Sequence, residues 1–524
     1  MKPIKIFMLL IVLAAMAAGT GMVSGMPFDG FSDVDITDHT GEACFGKAVA
    51  NAGDLNGDGY TDLVIGTFDG ANKAFVYFGG PLFDGTSDVN ITDHTGEGNF
   101  GESVANAGDL NRDGYADLVI GANTNKAFVY FGGPSFDGLS DVNITDHTDE
   151  MGFGESVANA GDLNGDSITD LVIGTGYTNK TFVYFGGSGF DGVDGFSNVT
   201  IDDHPTENGF GGSVANAGDL NADGYADLVI GTWGLTRKAF VYFGGPDFDG
   251  LSDVNITDHI GEDDFGCSVA NAGDLNNDGY ADLIIGAWGA AKAFVYFGGP
   301  SFDGFSDVNI TDHTDEWDLM VYFGVSVANA GDLNNDGYAD LVIGTLGHGR
   351  SKAYVYYGGP GFDGTSDLSI TDHIGAWHFG YAVANAGDLN GDGYTDLVIG
   401  GLRGDKKAFV YYGVEYPLKY LPQPTIVTLQ GKLTDTAGNP IQTGSLKVTI
   451  NDTLGNPVWQ SIFDDCLFDG VFNIPLGAVQ ELRLIPGNMY QMVIEIDVDS
   501  ATFAAADVTF GDNVPAGDVI KFTA

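Results

Sequence analysis

Cysteine is nearly missing: three residues in 524, Cys44, Cys267 and Cys466, with no metal-motif spacing among them. A disulfide framework is thereby excluded, and stability has to come from core burial, bound metal, or both. Basic residues are scarce as well, with 20 Lys and Arg against 73 Asp and Glu, a formal net charge of −53. So acidic a surface repels phosphate backbones and anionic headgroups, which excludes nucleic acid and acidic membranes as partners. It suits cation uptake, with a salt-rich habitat as the alternative. After residue 25 no apolar run is long enough to span a bilayer. Disorder is excluded too, because an apolar content of 44% is enough to build a core even beside 81 glycines.

The first 25 residues are different. Lys2 and Lys5 precede an apolar stretch from Ile6 to Ala18, followed by the small residues Gly19, Thr20, Gly21, Ser24 and Gly25. Residues 1–25 read as a cleavable secretory signal, with an uncleaved anchor as the alternative. An extracellular or cell-surface location follows from that reading.

A repeat dominates what remains. VANAGDLNxDGYxDLVIG begins at Val49 and returns at Val104, Val157, Val214, Val269, Val327 and Val383, about 53 to 58 residues apart. Each copy divides into four strands: SVANAG, small and suited to close approach at an axis; YADLVIG and KAFVYFG, β-branched and aromatic; and SDVNITDH, polar and suited to an outer edge. Seven four-stranded units predict a seven-bladed β-propeller over residues 27–413. The ends of the repeat agree. Phe31 to His39 is a fourth strand with no first three before it, and the last copy stops after its third strand at Gly413. The two fragments complete one blade and close the ring.

Each copy carries D-x-N-x-D-G-x-x-D between its first two strands. Hard oxygen donors at alternate positions, folded tightly around a glycine, are what calcium coordination requires. The candidate ligands are Asp54, Asn56, Asp58, the Tyr60 carbonyl and Asp62 in the first blade, and Asp109, Asn111, Asp113, Tyr115 and Asp117 in the second. They continue as Asp162, Asn164, Asp166, Ile168 and Asp170; Asp219, Asn221, Asp223, Tyr225 and Asp227; and Asp274, Asn276, Asp278, Tyr280 and Asp282. The last two sets are Asp332, Asn334, Asp336, Tyr338 and Asp340, then Asp388, Asn390, Asp392, Tyr394 and Asp396. An EF-hand or dockerin loop is excluded because the flanks are strands and no Glu stands at position twelve. In the third blade Ser167 and Ile168 replace Gly-Tyr, so a strained turn and the weakest site are expected there.

The full unit FGxSVANAGDLNxDGYxDLVIG resembles the FG-GAP repeat of the integrin α-subunit propeller, from about Pro27 to Gly413. That resemblance implies calcium in the hairpin loops of the lower face and a role in adhesion. Residues 414–424 read as a short proline-bearing linker. Residues 425–524, with alternating runs such as SLKVTIND and YQMVIEIDV, predict a small β-sandwich. Its opening, LQGKLTDTAGNPI, resembles Ig-like and carboxypeptidase-regulatory-like accessory modules.

The opposite face carries loops that differ from blade to blade, as a recognition surface on a rigid frame does. Trp233, Trp288, Trp317 and Trp377 fall there and can stack on a sugar, anchor a protein loop, or pack locally. The His of each TDH recurs seven times, from His39 to His373, and so reads as a structural hydrogen bond rather than a catalytic group. The Arg403-Gly404-Asp405 tripeptide and the His348/His378 pair read as coincidences. Asn90, Asn143, Asn198, Asn255 and Asn309 each open an N-x-T sequon on a fourth strand, where alternation explains them equally well. No unique carboxylate pair, nucleophile triad or zinc motif is present. The leading expectation is a non-enzymatic, calcium-binding module for an extracellular protein or carbohydrate ligand. The alternatives are an exported polysaccharide-active enzyme or its accessory domain, and a surface-layer subunit.

Overall fold

In the computed structural model the described residues are 28–413 apart from 29, 123, 146, 148, 191–196, 235, 312, 314–320, 348–349, 372, 374–377 and 403–405, together with the backbone of seven strands between 427 and 523. The chain divides into two compact units, one of them Pro27–Val414. That unit is a seven-bladed β-propeller, each blade a four-stranded antiparallel sheet.

The first blade runs Ala48–Gly53, Asp62–Gly66, Ala74–Tyr77 and Val89–Ile91. Its second strand, DLVIG, is buried along its whole length. A half-exposed strand would alternate; this one does not because each blade is pressed between two others and both faces of its sheet are covered. The cores accordingly lie between blades. At the interface of blades three and four, Val172, Val183 and Ile201 pack against Phe210, Leu228 and Phe240. Fully burying each such side chain contributes about 1.5–3 kcal/mol.

First strands touch first strands around the axis, and that of the seventh blade touches that of the first. The sequence reading of ring closure holds in register: Val34 pairs with Val410, Asp35 with Phe409 and Ile36 with Ala408. Blade packing also explains one glycine of the repeat. A Cβ on Gly66 would run into the carbonyl oxygen of Gly101 in the next blade, so no larger residue fits. In blades three, five, six and seven the first strand starts earlier than SVANAG, at Phe153, Phe265, Tyr322 and Phe379. A bulge between Phe153 and Ser156 takes up the extra length, with Gly154 at φ +88°.

The recurring Asp-His pair locks the blades together. Asp38 accepts the Tyr77 hydroxyl at 3.1 Å and the Ser87 N–H at 2.9 Å. His39 stacks on Phe75 at 3.5 Å, and its Nε2 shares a 2.8 Å hydrogen bond with the Ser87 hydroxyl. His94, His204, His259 and His313 repeat the bond to a serine one blade on, and His373 reaches Ser32 to do so across the seam. The structural role read from sevenfold recurrence is what these histidines perform. Four sequon asparagines, Asn90, Asn143, Asn255 and Asn309, are exposed on outer strands, whereas Asn198 is exposed but lies just before its strand, Val199–Ile201, where its Oδ1 accepts the Phe185 N–H at 2.7 Å.

In the C-terminal region, strands Val427–Lys432 and Val471–Leu476 pair as one antiparallel sheet. Ser445–Asn451 lies between Pro457–Phe463 and Met489–Asp497 in a second sheet. Among the described residues no helix is long and apolar enough to cross a membrane.

Candidate functional site

Loop one shows how the acidic hairpin is folded. Asp54 turns inward, its Oδ1 accepting the N–H groups of Gly57 and Asp58 at 2.8 and 3.0 Å and its Oδ2 that of Gly59 at 2.9 Å. Asn56 Oδ1 accepts the Asp58 N–H at 2.8 Å, and Asp58 Oδ1 accepts the Tyr60 N–H at 3.0 Å. Asp62 is fully buried, and its two oxygens take the N–H groups of Leu55 and Gly79, both at 2.9 Å. One carboxylate thus ties the loop to the turn that follows the third strand.

The bonds to the buried Asp recur in all seven blades, at Asp117, Asp170, Asp227, Asp282, Asp340 and Asp396. Burial drives the Asp62 acid up to about 7 against the pull of its two backbone donors, and Asp58 and Asp54 push it further. The same causes put Asp396 at about 8. Carboxylates so crowded call for a cation. Among the described residues, however, no three acidic or imidazole side chains stand close enough to hold an ion as they lie. The loop oxygens are turned onto loop N–H groups instead. An ionised carboxylate oxygen carries a second lone pair, so these bonds orient the donors without exhausting them. The donor chemistry fits a hard divalent ion.

The turn is strained in more than one loop. Position six of the motif sits at φ between +91° and +94° in six loops, all glycine, and Ser167 adopts +66° in the third. Its N–H still reaches Asp162 Oδ2, at 2.7 Å. Position four is also left-handed, and there Arg112 and Ala222 stand at +62° and +65°. The sequence pointed to strain in the third loop alone; the second and fourth carry it as well, because position four looked unconstrained.

At the opposite end of the axis the blades converge on a cavity of about 520 Å³. The variable residue of FGxSV lines it in every blade: Lys47, Glu102, Glu155, Gly212, Cys267, Val325 and Tyr381. The sequence reading passed over this position, although six different residue types across seven copies of a nearly uniform motif was the signal for it. Two of the four predicted tryptophans join the lining, Trp233 and Trp288. Trp233 meets Tyr177 edge-on at 5.6 Å, and Trp288 meets Tyr322 edge-on at 5.0 Å. They therefore pack locally and face the cavity together. Trp317, Trp377, His348 and Arg403-Gly404-Asp405 lie outside the described residues.

Lys47 holds its ammonium 4.9 Å from the centre of the Tyr381 ring. Burial alone would lower it, but Tyr381, Glu102 and Glu155 outweigh that and leave it above its usual value. Burial pushes Glu155 up to about 7, with Glu102 adding to the shift and Lys47 opposing it.

Comparison with known proteins agrees with this architecture. A family profile described as an FG-GAP-like repeat matches residues 54–120, 109–173 and 332–399, and a second, FG-GAP repeat, matches 265–298. A domain of unknown function, DUF8740, matches 428–508. Integrin alpha-5 of Xenopus laevis is 30% identical over 243 residues, 43% of this chain and 23% of that protein. Integrin alpha-6 of Gallus gallus is 31% identical over 157 residues, covering 28% and 14%. Integrin alpha-7 of Mus musculus is 35% identical over 157 residues, covering 26% and 12%. The chain thus spans less than a quarter of the length of these relatives.

Proposed function

Because its repeats form an FG-GAP β-propeller of the integrin α-like kind, we propose that this chain is an exported, calcium-braced binding module. It holds an extracellular protein or carbohydrate ligand on its upper face and turns nothing over. Residues 1–25 serve as the export signal, residues 414–424 link, and residues 425–524 form an accessory sandwich. One observation carries the reading: seven loops keep one acidic pattern at the lower end of the axis, while one repeat position takes six identities across the seven blades at the upper end. Uniformity is what a shared ion requires, and divergence is what a single ligand without sevenfold symmetry requires.

In each loop the ion would be held by the side chains at positions one, three, five and nine with the carbonyl at seven, as by Asp54, Asn56, Asp58, Asp62 and Tyr60. Its charge would offset the burial, and the neighbouring Asp58 and Asp54, that push Asp62 up to about 7. With free calcium at ten times the dissociation constant each site adds about 1.4 kcal/mol, and seven add about 10 kcal/mol, comparable with the net stability of a domain. Excess EGTA is therefore expected to lower the melting temperature sharply; an unchanged melt refutes the calcium brace. Cell-surface pulldown and a glycan array, repeated with Trp233→Ala, test the binding role. A ligand retained at full strength by the variant, or a bound sugar found cleaved, would count against it.

A further inference from the structure

The cup at the top of the axis is divided in character. On one arc a single ammonium, Lys47, faces two carboxylates, Glu102 and Glu155. That arc carries one more negative charge than it can neutralise internally. Glu155 Oε2 is buried without a well-formed hydrogen bond, although the Gly176 N–H lies near enough to favour the ionised acid. A buried acceptor left in that state is destabilising unless a donor reaches it.

The neighbouring wall is aromatic and open. Tyr177 is 51% exposed and Trp233 39%. Trp233 lies where it does because its blade carries glycine at the ring position: a Cβ on Gly212 would collide with the indole. A Cβ on Gly176 would run into both Glu155 Oε2 and the Trp233 indole nitrogen, so the two lie against the same spot. The uncompensated carboxylate and the aromatic wall therefore belong to one recess.

We propose that this recess binds a small organic cation, whose primary ammonium or guanidinium head donates N–H bonds to Glu155 and whose apolar arm lies along Trp233 and Tyr177. The inference deepens the binding function proposed above and rests on it. A cavity of about 520 Å³ is of small-ligand size. The excess negative charge repels anions, and a neutral ligand leaves it uncompensated. A bare metal ion makes no use of the aromatic wall, whereas an organic cation gains from both the ring faces and the carboxylate.

The cation favours ionised Glu155, so binding releases a proton and strengthens as pH rises through about 7. The other groups facing the recess do not reverse this sign. Lys47 is held above its usual value, burial pushes the Cys267 thiol up to about 12, and Tyr177 is raised by Glu155.

Calorimetry on the full chain in calcium, with phenethylammonium as the probe, tests the proposal. Binding is expected near pH 8, with about tenfold loss near pH 5.5, about tenfold loss in Glu155→Gln, and none for the neutral 2-phenylethanol. Propylammonium, lacking the ring, is expected to bind more weakly. No binding of phenethylammonium up to about 10 mM, or equal binding of 2-phenylethanol, or an unchanged affinity in a folded Glu155→Gln variant, overturns it. If a protein or sugar ligand is captured and lost with Trp233→Ala while phenethylammonium fails, the cation recess falls and the binding module stands.

Discussion

The two ends of the propeller axis obey opposite rules. At the lower end seven hairpins repeat one pattern of Asp and Asn, and each buries a carboxylate bonded to the same two backbone N–H groups. At the upper end the ring position runs Lys, Glu, Glu, Gly, Cys, Val, Tyr. Yet both ends are carried on the same first strand, only a few residues apart. Repetition therefore marks where local geometry must be satisfied blade by blade, and variation marks where the blades meet around one shared cavity.

Substitutions should separate the ends by size of effect. Asp227→Ala strands the buried N–H groups of Leu220 and Gly244, an expected loss of about 2–6 kcal/mol, visible as a large drop in melting temperature with calcium present. A milder loss would mean that water enters the loop and that the lower end is less tightly specified than it looks. Acidification should act next, on the joints between blades. Burial lowers His39, His94, His204 and His259 below the ordinary value of 6.5, against the pull of their neighbouring acids. The unfolded chain then binds more protons, so this stability is present above pH 6.5 and is lost as pH falls through the folded values. Melts in saturating calcium should therefore fall steadily from neutral pH toward pH 5.

Relief of strain is expected to be smaller and of opposite sign. Ala222→Gly removes a left-handed alanine and should stabilise by about 1 kcal/mol, seen as a small rise in the denaturation midpoint. Glu155→Gln should move the melt least and as a small rise rather than a fall, because it removes a charge that burial penalises. A large shift there would erase the distinction between the two ends.

Much of the frame was legible in the residues. The orphan strand before the first repeat and the missing strand after the last made ring closure readable, since only their union completes a blade. The acidic loops were readable as tight hairpins because Gly among Asp and Asn marks a turn between two strands. The handedness of position four was only partly readable: glycine and asparagine, which favour a left-handed turn, hold it in five blades, but arginine and alanine hold it in the other two and only the fold shows them left-handed. The channel mouth was missed for a related reason. Its residues look ordinary one at a time and acquire meaning only when seven blades bring them to a common axis.

The seam has a consequence for biogenesis. Tyr412 donates its N–H to Asp33 across 379 residues of chain, so the opening strand must wait unpaired until the final blade has been made. Contacts so distant along the chain are slow to form. Assembly therefore ends with a latch between the first and last residues of the wheel, and a nascent chain cut short anywhere before its third strand of the seventh blade leaves that latch undone, with an open sheet edge on either side of the gap.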